Sequence, residues 1–184
     1  MFSSNHDYRH SLAGIAARLV MFLAMMALMR FTADQVKYLS GGQGIIDLHF
    51  APLPTYTAAA LSSLTPKATW FYRWGFFSVD MVYILSYCTF YRCAIRYLLQ
   101  KCPVSTALSE KLMFLPVIGG TADMLENTAL FMMLGSGDYP AITCTMFMIF
   151  NIIKFVCVYA SLKVVVISSL YLLKRRFSAL VTRP

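Results

Sequence analysis

Charge is scarce in this sequence, and the residue types of catalysis are scarcer. Asp and Glu number 8 and Lys and Arg 16 in 184 residues, so charged residues make up 13% of the chain against 59% hydrophobic. A soluble domain carries about 25% charged residues. The shortfall, with a mean hydropathy of +0.63, places the chain among membrane proteins. His6, His10 and His49 all lie outside the long apolar runs, which excludes an H-E-x-x-H pair or a triad histidine within a span. The cysteines Cys88, Cys93, Cys102, Cys144 and Cys157 are odd in number and form no C-x-x-C pair, which excludes a recognisable zinc or disulfide framework. They read as free thiols behaving as small apolar residues. With neither a nucleophile and its base nor a metal-ligand set, the expectation is a protein that is not an enzyme and takes no cofactor.

What is present is a basic surplus, a formal net charge of +8. The cations sit at the ends of apolar runs, where they anchor helices and set orientation, so a membrane role is preferred to nucleic-acid binding. The fold class expected is all-α: one polytopic domain over 1–184, with transmembrane helices near 12–31, 70–95, 112–134 and 141–173 in a four-helix bundle.

The first run resembles a signal peptide in the length of its core, Leu19 to Met29. Arg30-Phe31 then stands where a small-residue cleavage site belongs, so a retained span is expected. Arg9, Arg18 and the early serines, opposed only by Asp7, also resemble a mitochondrial targeting signal.

The segment 32–69 reads as a loop. Gly41-Gly-Gln-Gly44 predicts a turn, and Ile45 to Phe50 alternates enough for a short extended piece. After Ala51-Pro-Leu-Pro54, Thr55 is the expected N-cap of a short amphipathic helix, Tyr56 to Leu64, which Thr65-Pro-Lys67 ends.

Trp70-Phe-Tyr-Arg-Trp74 has the makeup of an interfacial aromatic belt at the start of the second span. Helical spacing puts Asp80 on one face with Tyr83 and Tyr87, where aromatic packing with satisfied hydroxyls is the plainer expectation. In the third span Pro116 and Gly119-Gly120 permit a bend or a close helix approach. Asp123, Glu126 and Asn127 follow at i, i+3 and i+4, forming one polar face.

Sorting the cations orients the bundle. Arg9, Arg18, Arg92, Arg96, Lys101, Lys111, Lys174, Arg175, Arg176 and Arg183 fall on one side, while Arg30, Lys37, Lys67 and Arg73 fall on the other. The positive-inside rule then puts both termini in the cytoplasm or the mitochondrial matrix. Arg92, Arg96, Lys174, Arg175 and Arg176 are the expected contacts for anionic lipid headgroups such as cardiolipin.

Counting about 1.5 Å per residue, Asp80 lies roughly 15 Å from Trp70, Asp123 roughly 18 Å from Lys111, and Lys154 about 20 Å into the last span. A network of Asp80, Asp123, Glu126, Asn127, Asn151 and Lys154 inside the membrane follows, with Lys154 as counter-ion. One cation does not balance three acids. Some acids carry protons, or Arg30 or Arg73 reaches in, or water and the two asparagines complete the set. Such a network serves either as polar glue between helices or as a path for protons or solutes. A lipid enzyme would need a nucleophile or metal that the chain does not offer.

These residues carry a resemblance. Ile46-Asp-Leu-His-Phe50 with Tyr56, Tyr72-Arg-Trp-Gly-Phe-Phe-Ser-Val-Asp80, Leu115-Pro116, Asp123-Met-Leu-Glu-Asn127 and Lys154 resemble a family of small four-span membrane proteins of bacterial type, marked by Asp-x-x-Glu-Asn in the third span. The resemblance implies a four-helix bundle with its polar set turned inward, and brings no established activity with it. The expected function is a non-enzymatic multi-pass subunit of a larger inner-membrane assembly, such as a respiratory complex or ATP synthase, with lipids and other membrane subunits as partners. The mitochondrial inner membrane is preferred over a bacterial-type plasma membrane. A small proton or solute transporter is the second reading.

Overall fold

A computed structural model describes residues 12–181, with side chains described to 178. Arg9, Arg183 and the early serines of the targeting-signal reading, together with His6 and His10, lie outside the described residues. The described chain is all helix and loop, with no strand.

Helix α1 runs from Leu12 to Leu39, eight residues beyond the expected span end at 31. An apolar run ends where the residues change, but a helix ends where the backbone is stopped. Here the stop is Gly41-Gly42, with φ of 73° and 115°. Gly42 N–H donates to the Lys37 carbonyl at 2.9 Å and Gly41 N–H to that of Tyr38 at 3.3 Å, the double closure of a Schellman cap that glycine favours. Thr32, Asp34, Gln35 and Lys37 are therefore helical. Arg30 pairs with Asp34 one turn on, at 3.8 Å and exposed.

The stretch 45–50 is not extended. It turns, with His49 N–H donating to the Ile46 carbonyl at 2.9 Å, and Ile45, Ile46 and Asp47 are buried. No neighbouring strand is there to pair with it, so side chains of other elements take up its backbone groups instead. Helix α2 spans Pro54–Ser62 and starts with Leu53 as its N-cap, not Thr55. Pro54 takes the first helical position, which its fixed φ suits and where its missing N–H costs nothing. Thr57, Ala60 and Leu61 face inward.

Thr65 caps α3, Pro66–Phe71, by accepting from Ala68 N–H at 3.2 Å. A π-helical turn, Tyr72–Phe76, joins α3 to α4, Phe77–Leu99, making one continuous helix from Pro66. The buried positions Asp80, Ile84, Tyr87, Tyr91 and Ala94 recur every three or four residues and define its inner stripe.

Helix α5, Thr106–Ser136, is N-capped by Ser105 and ends at Gly137, whose φ of 68° is left-handed. Pro116 removes one helical N–H from its interior. The Cys88 thiol donates to the Pro116 carbonyl at 3.0 Å. Gly119 and Gly120 are pressed against Cys157 of α6 and Cys88 of α4 respectively, which is the close approach expected. Helix α6, Ala141–Val181, is 41 residues long, about 61 Å, and packs most extensively on α5. The start of α1, the end of α4 and the end of α6 meet around one groove lined by Leu12, Leu98, Lys101 and Arg175.

Two helices among the described residues, Leu12–Leu39 and Ala141–Ser178, are long and apolar enough to cross a membrane by length and composition. Four were expected. The helices expected to supply the second and third spans carry Asp80, Arg92 and Arg96, and Asp123 and Glu126, respectively, and neither passes the same test.

Candidate functional site

The third-span motif lies at the centre of the fold. Asp123, Glu126 and Asn127 project from α5 at helical spacing and are 4%, 0% and 1% exposed. From α6, Lys154 reaches both acids: its Nζ lies 2.5 Å from Glu126 Oε2 and 3.3 Å from Asp123 Oδ1. One turn earlier on α6, Asn151 donates its amide to Glu126 Oε1 at 2.9 Å. Tyr87 of α4 donates its hydroxyl to Asp123 Oδ2 at 3.0 Å, so an aromatic of the second expected span is a member of the network and not only packing. Asp80 accepts from the Asn127 amide. All six residues expected in the intramembrane network are thus buried and brought together.

The alternatives for balancing the acids resolve in part. Arg30 points out to Asp34. The Arg73 guanidinium lies over the Phe131 ring at 4.4 Å and near that of Trp74 at 5.2 Å, with Gly135 directly beneath it. Neither arginine reaches the network; Asn127 and Asn151 do complete it.

Sequence reasoning missed the fourth acid. Asp47, 2% exposed, enters from the loop between α1 and α2. Its carbonyl accepts from Lys154 Nζ at 3.1 Å and from the Asn151 amide at 3.1 Å. Its carboxylate accepts from Tyr72 OH at 2.7 Å, and the same hydroxyl accepts from Ile46 N–H at 2.9 Å. Asn151 Oδ1 takes Ala51 N–H at 2.8 Å. The loop is held down by side chains of α6 and of the π-helical turn.

No match to the chain exists among protein-family models, curated proteins or solved structures. The site is therefore read from its own geometry.

Beside the ion pairs lies a cavity of about 130 Å³ lined by Asp47, Asp80, Asp123 and Lys154, with Tyr83, Tyr87 and Tyr91 on one wall and Phe22, Met29, Phe155 and Val158 on others. It has room for several waters or a small solute and enough polar partners to hold them. Its walls come from α1, α4, α5, α6 and the loop. Among the described residues no group of three or more His, Cys, Asp or Glu side chains is placed to hold a metal ion.

The five cations expected at headgroups, Arg92, Arg96, Lys174, Arg175 and Arg176, are all exposed. Arg175 and Arg176 share the groove at the end of α4 and α6 with Lys101, while Arg92, Arg96 and Lys174 are not among its lining residues.

Proposed function

We propose that the protein is a non-enzymatic multi-pass membrane protein that crosses the bilayer four times, through α1, the continuous α3–α4 helix, α5 and α6, with α2 covering one end. The observation that carries this reading is inverted polarity. Glu126, Asn151 and Asp47 are at most 2% exposed, while Ile142, Ile167 and Leu170 are 60% exposed or more. In water such an arrangement costs at both surfaces; in lipid it is the stable one, because apolar side chains need no partner and charges face each other. Meeting of the α1 start with the α4 and α6 ends supports an antiparallel arrangement of crossings, with the basic ends on the matrix or cytoplasmic side.

An accessory role in a larger inner-membrane assembly is the function this geometry supports best. The interior groups satisfy one another across α4, α5, α6 and the 47–51 loop, as a brace does, and the outward face is a broad apolar surface suited to lipid or to neighbouring subunits. The mitochondrial inner membrane is the proposed compartment, supported by the cation pattern and the five free thiols. Native gel migration in mild detergent tests it: a species well above the monomer is expected, and a protein running only as its own monomer overturns the subunit role.

The cavity favours a second reading, a small proton or solute transporter, because a brace alone has no need of a polar space beside Asp80 and Lys154. Its test is flux through liposomes holding the pure protein, wild type against Asp80→Asn. Flux lost in the variant establishes transport, and no flux in either excludes it.

A further inference from the structure

From the groove where α1, α4 and α6 meet we infer a binding site for one anionic phospholipid, an inference that rests on the membrane-spanning reading above. The groove is about 550 Å³ and is separate from the polar core. By helical rise, Leu98 is roughly 27 Å of helix from Asp80, and Arg175 roughly 31 Å from Lys154.

The site has two halves of different chemistry. Leu98, Leu172 and Leu173 make an apolar trough, and Lys101, Arg175 and Arg176 stand in the same lining. The Lys101 ammonium is not committed to an acid: it donates to Tyr97 OH at 2.5 Å and lies 3.8 Å from the centre of that ring. Among the described residues no carboxylate is placed to pair with Lys101, Arg175 or Arg176, and the acids of the core are taken up by Lys154. Three cations beside an apolar trough are complementary to a phosphate attached to acyl chains.

Depth agrees with the chemistry. From Trp70 to Leu99, two residues before Lys101, the helix rises roughly 43 Å, close to the about 40–45 Å of a bilayer measured through its headgroups. With Trp70 in one interface, the groove cations stand at the headgroups of the other. The trough then faces the acyl chains.

The groove selects among the basic residues. Arg92, Arg96 and Lys174 are as exposed and as charged, and they stay outside it. A general attraction to an anionic surface uses all six alike; a site uses Lys101, Arg175 and Arg176.

Native mass spectrometry of the full chain in neutral detergent tests this with phosphatidylglycerol and phosphatidylcholine of equal chain length. Wild type is expected to retain phosphatidylglycerol in preference, and the triple variant Lys101→Gln, Arg175→Gln, Arg176→Gln to lose about a hundred-fold in its affinity. The control Arg92→Gln, Arg96→Gln, Lys174→Gln removes the same charge and is expected to keep the preference. Equal losses in the two variants overturn the site in favour of surface electrostatics. Absence of a preference in wild type also overturns it. Soluble glycerol phosphate competing as well as the lipid overturns the acyl half. Extraction of native membranes with alkaline carbonate separates the two levels: release of the protein defeats the membrane reading, whereas retention without lipid preference defeats the groove alone.

Discussion

The ammonium of Lys154 lies 3.1 Å from the backbone carbonyl of Asp47, 107 residues earlier in the chain. A side chain in α6 thus fixes a loop that no secondary structure holds, while the same ammonium joins two acids of α5. Removing it leaves Glu126 and Asp123 buried without a cation, at a cost of about 3–5 kcal/mol. Lys154→Met is expected to lower the unfolding midpoint in detergent sharply. Lys154→Met combined with Glu126→Gln should recover part of that loss, because the second change removes one stranded charge. A double variant no better than the sum of the singles would show that the pair is not coupled.

Asn151 ties the loop at two points, the Asp47 carbonyl and the Ala51 N–H, and Glu126 at a third. Asn151→Leu strips the Ala51 N–H and Glu126 Oε1 of their hydrogen-bond partner, at about 1–3 kcal/mol each before relaxation, while Lys154 still holds the Asp47 carbonyl. The loop is the element free to relax. Hydrogen exchange over 45–51 should accelerate strongly in this variant while the α5 core slows or holds, and unchanged exchange in the loop would refute the tie.

How much of this was legible beforehand follows from the range of each interaction. Asp123, Glu126 and Asn127 share a face by helical periodicity alone, and of the two lysines inside the last apolar run, Lys154 and Lys163, Lys154 is the one whose helical rise brings it to the depth of the acids, so their meeting could be read from spacing. Asp47 could not. A polar residue in a loop is ordinary, and its role arises only when the loop folds back onto α6, which no local signal encodes. Its nearest clue was the apolar pair Ile45-Ile46 directly before it, too hydrophobic for a solvated turn. Thr32 to Leu39 reads as loop for the opposite reason: polarity changes at Arg30, but nothing stops the backbone until Gly41.

Tyr72 holds Asp47 from the other side. Tyr72→Phe keeps the edge-to-face contact with Phe76, 5.2 Å between ring centres, but deletes the hydroxyl that both donates to the Asp47 carboxylate and accepts from Ile46 N–H. A loss of about 1–3 kcal/mol is expected. The amide of Ile46 should then exchange faster, as measured by nuclear magnetic resonance in micelles, while amides near Gly137 stay unchanged. Uniform acceleration across both regions would mean general loosening instead of a local tie.

The approach of α4 to α5 rests on the absence of a side chain at Gly120. A Cβ built there overlaps the Cys88 sulfur and comes within 3.3 Å of Ile84. Cys88 cannot swing aside without giving up its contact with the Pro116 carbonyl, at 3.0 Å. Gly120→Ala is therefore expected to cost about 1–3 kcal/mol by overpacking, even though alanine is the better helix former by about 1 kcal/mol. Cys88→Ala removes the overlapping atom. The double variant Gly120→Ala, Cys88→Ala should be more stable than Gly120→Ala alone, an interaction energy of favourable sign that a thermal unfolding cycle measures. If Gly120→Ala is itself stabilising, helix propensity has outweighed packing, and the two helices are not in the close contact on which the Tyr87 to Asp123 hydrogen bond depends.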